Sequence, residues 1–303
     1  MAIRLQKKIK NDLIYYGIFS AVWLLRRMKR PLAIGLMRRI GWLAWHVAVH
    51  ERKKSVQHLT QAFGGELSRQ EIIALSKDVF DNLSICIADA VRLPNLVKDG
   101  LDNYLTVENF HHLTDEVAKG RGVIMQTGHY GNWELLGTWL VQKKIPLRVI
   151  AKKSYDSRLD KMIVGYRNKA GYSNTARGKA LPAILKGFQD GCVYGMLFDL
   201  DTKVKGVFVD FFGKPAHTAV IPSMLALEHD VPVVPVFIRL NPDLTYTITC
   251  HEAITLQDSG DPKTDALVNT QKFSDVYERV IRENPRQWIW MHSRWKKQPP
   301  MAA

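Results

Sequence analysis

The sequence predicts an α/β protein, a mostly parallel central sheet covered by helices on both faces, preceded by an N-terminal helical membrane-anchoring region. Two observations carry this. From Tyr104 onward, short apolar runs with β-branched residues alternate with helix-like stretches over short connections, the sign of a parallel sheet wrapped on both sides. The first fifty residues instead read as two helices bordered by basic residues. At 303 residues and 46% hydrophobic, the chain can bury a full core in one large domain with a small accessory region. The expected division is residues 1–50 as membrane-associated helices and 51–303 as the α/β domain.

The elements follow in order. Lys7, Lys8 and Lys10 precede an uncharged run at 13–25, and Arg26, Arg27, Lys29, Arg30 and Pro31 follow it. Such a run spans roughly 20 Å as a helix against a hydrocarbon core of about 30 Å. Basic residues on both flanks suit a helix whose ends stay on one, cytoplasmic side, and they are the wrong flank for signal-peptide cleavage. A retained anchor is expected, crossing the bilayer or lying in it. Pro31 suits the first turn of a second helix. Its stripe of Ala33, Leu36, Met37, Ile40, Leu43, Ala44 and Val47 either faces lipid headgroups or packs on the domain. Ser68 and Glu71 form a capping box, and the helix it starts ends before Pro94. Strands are expected at 123–127, 147–151, 192–198, 207–211 and 231–238, with 246–250 as an antiparallel addition.

A net charge of +14 points to an acidic partner: nucleic acid, an anionic lipid surface or an acidic carrier protein. The basic residues are spread and no nucleic-acid reader motif is recognisable, which weighs against nucleic acid. Cys86, Cys192 and Cys250 are scattered and odd in number, as in a reduced cytoplasmic domain without disulfides or structural zinc.

The chemistry-bearing stretch runs from Gly128 to Glu134, between the strand at 123–127 and a helix at 135–144. Asn132 suits the N-cap, which puts Glu134 in the first turn, where the helix dipole favours a carboxylate. His129 then lies on the loop ahead of the helix, able to fold back toward Glu134. A histidine steadied by a carboxylate has the parts of a general base, and Gly128 and Gly131 allow close approach of backbone or substrate. The same spacing also fits an ordinary polar loop residue and a helix-start carboxylate. Asp199 and Asp201 lie after a strand, with no histidine or third carboxylate near in sequence to complete an oxygen-rich metal site, so no metal is expected.

The string from His129 to Glu134 resembles the His-x4-Asp/Glu signature of glycerolipid-type acyltransferases, in the form typical of the bacterial lipid A late acyltransferases. Further matches recur in order. The segment from Asn174 to Lys179 resembles the one whose arginine, here Arg177, helps hold the acceptor's phosphate. Residues 198–203 stand where the family has an acidic strand end, and 216–218 resemble a substrate-lining turn containing His217. Residues 231–236 resemble the superfamily's Val-Pro-Val/Ile-Val-Pro-Val block. The run from Pro285 to Lys296 resembles the closing signature of the lipid A branch. The segment from Ser55 to Phe63 departs from the family pattern, with His58 for an asparagine and Gly64 for a proline.

The resemblance implies a membrane-associated O-acyltransferase, a monomer at the cell inner membrane with its acyltransferase domain (51–303) on the cytoplasmic face. It implies transfer of a fatty acyl chain from acyl carrier protein, the co-substrate, to a hydroxyl of a lipid A precursor, without other cofactors. His129, oriented by Glu134, is the expected general base, and no covalent intermediate forms. Substrate-binding roles are implied for Arg177, Asn132, Asp199, Asp201, Lys203, His292 and Arg294. An acyl-CoA-dependent enzyme acylating a lysophospholipid or a phosphatidylinositol mannoside is the alternative within the class. Outside it stand a non-catalytic basic protein binding membrane or nucleic acid, and a metallohydrolase.

Overall fold

The structure is a computed structural model that describes residues 2–151, 154, 156–176 and 180–299, without the side chains of 2–8 and 176. Helices α1 (Ala2–Arg27), α2 (Arg30–Val47), α3 (Val49–Phe63), α4 (Arg69–Val91) and α5 (Leu93–Asp99) come first. The sheet region then alternates β1 (Leu105–Glu108), α6 (His111–Ala118), β2 (Val123–Thr127), α7 (Trp133–Gln142), β3 (Leu147–Ala151), α8 (Ser157–Ala170), β4 (Ser173–Ala176), α9 (Leu181–Gln189) and β5 (Val193–Leu197). It closes with β6 (Gly206–Phe211), β7 (Lys214–Ala219), α10 (Ile221–Glu228), β8 (Val233–Leu240), β9 (Tyr246–Cys250) and α11 (Pro262–Glu283).

The main sheet has the order β1-β9-β8-β2-β5-β3-β4. Strands β8 to β4 are mutually parallel, while β9 runs antiparallel to β8 and carries β1 parallel to itself. Both faces are buried, because alternate residues serve different cores. Ile124, Tyr194 and Val233 join one apolar cluster with α9 and α11, and Val123, Met125 and Val234 join another with α7.

The mostly parallel sheet and the antiparallel strand at 246–250 agree with expectation. Residues 207–211 do not belong to the main sheet. They form β6 of a separate hairpin with β7, closed at Phe212 and Gly213, which have φ of 55° and 69°. Two positive φ values in a two-residue loop match the twist of antiparallel strands, so this segment turns back on its neighbour. The predicted turn at 216–218 is therefore the middle of β7. The short strands β1 and β4 had no periodic signal long enough to read.

The capping box at Ser68 and Glu71 is present, with both reciprocal hydrogen bonds. Helix α2 packs on α4 along only one edge of the apolar stripe, with Met37 against the core and the other edge left outward. Ala33, Ile34 and Gly41 are buried, whereas Ile40, Leu43 and Val47 are 47%, 52% and 65% exposed. Gly41 decides this: a Cβ there would lie 2.0 Å from Ser84 Oγ, so the close approach of the two helices depends on the residue that adds nothing to a hydrophobic stripe. The Arg30 guanidinium donates to buried Asp89 at 2.9 and 2.7 Å, and Arg92 donates to the Leu25 and Met28 carbonyls at the end of α1. No helix among the described residues is long and apolar enough to cross a membrane.

Candidate active site

Strands β2 and β5 are neighbours, and their register sets Thr127 beside Leu197. His129 and Asp199 each lie two residues beyond, so adjacent strand ends deliver them to one place at the carboxyl edge of the sheet, where α/β proteins gather ligands. Asp199 Oδ1 lies 2.9 Å from His129 Nδ1, and Oδ2 accepts the His129 backbone N–H at 2.9 Å and the Trp288 indole N–H at 2.8 Å. With Nδ1–H donating to the carboxylate, the tautomer is fixed and Nε2 carries the basic lone pair. Burial pushes the fully buried Asp199 carboxyl up, but the charge of His129 and the hydrogen bonds from it and Trp288 outweigh this and hold it below the usual range.

The carboxylate on Nδ1 is thus Asp199, and not Glu134 as the spacing suggested. Glu134 stands in the first turn of α7, where the Arg167 guanidinium grips both its oxygens and the Tyr172 hydroxyl donates to Oε2 at 3.0 Å. Burial lowers the Arg167 pKa, but its bond to Glu134 reverses that and leaves it raised. The reason for the difference is strand order: the nearest acid in sequence is on a helix whose first turn faces α8, while the acid two residues past the neighbouring strand faces the ring.

Asn132 holds the helix that carries this site. Its Oδ1 caps α7 by accepting Leu135 N–H at 3.2 Å, and its Nδ2 donates to the Cys86 carbonyl at 3.1 Å. The side chain is 2% exposed, so it is a structural cap, and the expectation of substrate binding is corrected. Gly131 has φ of 58°, and a Cβ there would sit 1.8 Å from the Ile238 carbonyl oxygen. Only glycine lets the loop press this closely on β8.

His129 and Glu134 open onto a cavity of about 1100 Å³. Lys203, Asp201, His292 and Arg167 also stand on its wall, and its deeper part is apolar, with Met125, Leu136, Leu147, Val149 and Leu197. His292 is pushed down from the ordinary histidine range by burial, and its Nδ1 is buried without a partner among the described residues. Asp201 Oδ1 lies 3.0 Å from both His217 Nδ1 and Lys297 Nζ, which ties the loop after β5 to β7 and to the C-terminal segment.

Arg294 is elsewhere. It is 2% exposed, donates to the His217 carbonyl and the Thr218 hydroxyl, and lies 5.1 Å from the Phe211 ring centre. Burial pushes its pKa down to about 10, although Asp199 and Asp201 act the other way. It braces the hairpin from inside, away from the cavity wall on which its expected role would place it. Arg177 lies outside the described residues. No group of three or more histidine, cysteine, aspartate or glutamate side chains among the described residues is placed to hold a metal. Sequence reasoning missed Arg167, Tyr172 and Trp288: the first looks like a helix-end basic residue, and the others look like core.

The chain matches the family of bacterial lipid A biosynthesis acyltransferases over residues 6–297. It is 28% identical over 211 residues to a phosphatidylinositol mannoside acyltransferase of Mycolicibacterium smegmatis, covering 68% of this chain and 67% of that one. It is 23% identical to a lipid A biosynthesis acyltransferase of Haemophilus influenzae, over 91% of this chain and 86% of that one. To a lipid A biosynthesis lauroyltransferase of Escherichia coli it is 24% identical, over 95% of this chain and 92% of the relative.

Proposed function

The chain belongs to the bacterial lipid A biosynthesis acyltransferase family, and from that premise we propose that it moves a fatty acyl chain from acyl carrier protein to a hydroxyl of a lipid A precursor. The observation that carries the mechanism is the buried Asp199 carboxylate bound to Nδ1 of His129 at the mouth of an apolar cavity. In the reaction, His129 Nε2 takes the proton of the acceptor hydroxyl as its oxygen attacks the thioester carbonyl. Asp199 keeps the tautomer and stabilises the imidazolium. The carbon–sulfur bond then breaks, and the leaving thiolate takes the proton back from the ring. No covalent enzyme intermediate is needed.

The tetrahedral oxyanion meets the Trp133 and Glu134 amides, which precede the capped Leu135 amide at the positive end of the α7 dipole, with the Arg167 guanidinium on the same wall. Glu134, gripped by Arg167 and Tyr172, holds that guanidinium in place. Asp201, Lys203, His292 and, outside the described residues, Arg177 serve the phosphorylated acceptor and the carrier's arm.

Membrane attachment completes the reading. Helices α1 and α2 expose Leu13, Tyr16, Phe19, Trp23, Leu32 and Trp42, with Arg26, Arg27 and Lys29 at their junction. Apolar and aromatic residues beside arginines suit the boundary of an anionic leaflet. We place the protein at the cell inner membrane as a monomer, its acyltransferase domain on the cytoplasmic side.

The likeness to phosphatidylinositol mannoside acyltransferases supports a second reading, an acyl-CoA-dependent enzyme acting on such a mannoside or a lysophospholipid. Mass spectrometry of lipids from cells with and without the protein separates the two. The first reading predicts a lipid A species lighter by one acyl chain on deletion. An unchanged lipid A profile in a strain without a redundant homologue would contradict it.

A further inference from the structure

The apolar end of the cavity is built in rows. On the face turned to α7, neighbouring strands β2, β5 and β3 line up Thr127 with Leu197 at the mouth, then Met125, Gly195 and Val149, then Val123, Val193 and Leu147. Successive rows are two residues apart, about 6.6 Å. The first two rows border the cavity; in the third, Leu147 reaches it and the fully buried Val123 and Val193 do not. The middle of the second row has no side chain.

Gly195 lies inside a strand and Gly137 inside a helix, positions where glycine is unfavourable and marks close approach of something else. They flank the same residue. A Cβ on Gly195 would lie 3.4 Å from Leu147 Cδ1, and one on Gly137 would lie 3.5 Å from Leu147 Cδ2. Both walls are therefore cut back at one depth, and Leu147 closes the space between them. The backbone at Gly195 has no positive φ, and a Cβ would meet the flexible end of Met125 at 3.1 Å with Leu147 Cδ1 and Val149 Cγ1 at 3.4 Å, so a side chain added there displaces the end of Met125 and fills the row.

We propose that Gly195 and Leu147 gauge the acyl chain: Gly195 opens the last row of the cavity to the chain's end, and Leu147 stops it. The inference rests on the acyl-transfer reading and names the residues that set its chain length. A side chain at position 195 moves the stop up by one row. With bonds of ~1.5 Å, an extended alkyl chain advances roughly 1.25 Å per carbon, so one row corresponds to about five carbons.

The test offers the full-length protein an equimolar ladder of saturated acyl-carrier-protein thioesters, octanoyl to palmitoyl, with lipid A precursor, and weighs the products. Gly195→Val shifts the preferred chain shorter by about one row, with the ratio of kcat/KM for the longest over the shortest accepted chain falling tenfold or more. Gly195→Ala gives a smaller shift in the same direction, and Leu147→Ala shifts the preference longer. Melting temperatures show that each variant is folded. Gly137 is the poorer probe, because a Cβ there presses on Tyr172, which holds Glu134. An unchanged product distribution in folded Gly195→Val and Gly195→Ala, or an equal loss for every length, overturns the gauge alone. A wild-type protein that transfers no chain of any length, either in this assay or from an acyl-CoA ladder to a phosphatidylinositol mannoside or a lysophospholipid, overturns the acyl-transfer reading, and the gauge with it.

Discussion

At the scale of single residues, the account turns on which acid faces which base. Asp199 is buried beneath His129 and makes three hydrogen bonds, two of them to His129 itself. Replacing it with asparagine keeps the shape but presents an amide to Nδ1, so transfer falls by about 10²–10⁴-fold with little change in KM. Steady-state kinetics on a folded Asp199→Asn protein checks this. Arg294 makes the opposite prediction. As a buried guanidinium bracing β7, its replacement by methionine destabilises the fold by about 3 kcal/mol while KM for the acceptor holds, as denaturant titration and kinetics would show. The position of His129 on a loop just ahead of a helix was legible in the sequence because glycines and a helix cap surround it within a few positions. Its partner was not, because Asp199 is 70 residues away and meets it only through the adjacency of β2 and β5. Arg294 misled for a related reason: sequence shows a charge in a basic terminal run and cannot show that the Phe211 ring and strand β7 bury it.

At the scale of elements, the start of α7 is the part that must not move. Its cap Asn132 is tied to the Cys86 carbonyl of α4 and lies 3.5 Å from the Tyr246 hydroxyl of β9. That hydroxyl donates to Asp89 at 2.8 Å, which also receives Arg30. A line of buried polar contacts thus runs from the α1–α2 junction to the helix bearing Glu134. Asn132→Ala costs about 1 kcal/mol as a lost cap and orphans a buried carbonyl, and it lowers kcat more than the stability loss explains. Melting curves and kcat together test this; a full kcat would remove the cap from the account. The periodic strands and the capping box could be read because their signals are local. The hairpin of β6 and β7 could not, since it depends on two positive φ values, and of the two courses the sequence left open to α2, packing on the domain is settled by Gly41.

For the whole molecule, two properties follow from what lies on and under the surface. The exposed apolar side chains of α1 and α2 predict binding to anionic vesicles, and Trp23→Glu combined with Trp42→Glu reduces it at least tenfold in a co-sedimentation assay. Inside, burial lowers the pKa of His58, His251 and His292. Each binds its proton less readily folded than unfolded, so stability is full above the ordinary histidine value near 6.5 and is lost as pH falls below it. The melting temperature should therefore drop between about pH 7.5 and about pH 5.5, and His58→Gln should flatten that drop. A melting temperature level across this range would contradict the buried neutral histidines.

The most direct test is acyl transfer by the purified full-length protein from acyl carrier protein to a lipid A precursor, comparing wild type with Asp199→Asn and Glu134→Gln. The account predicts a product heavier by one acyl chain for the wild type and a loss of about 10²-fold or more for Asp199→Asn at unchanged KM. Wild-type turnover by a folded Asp199→Asn protein would contradict it.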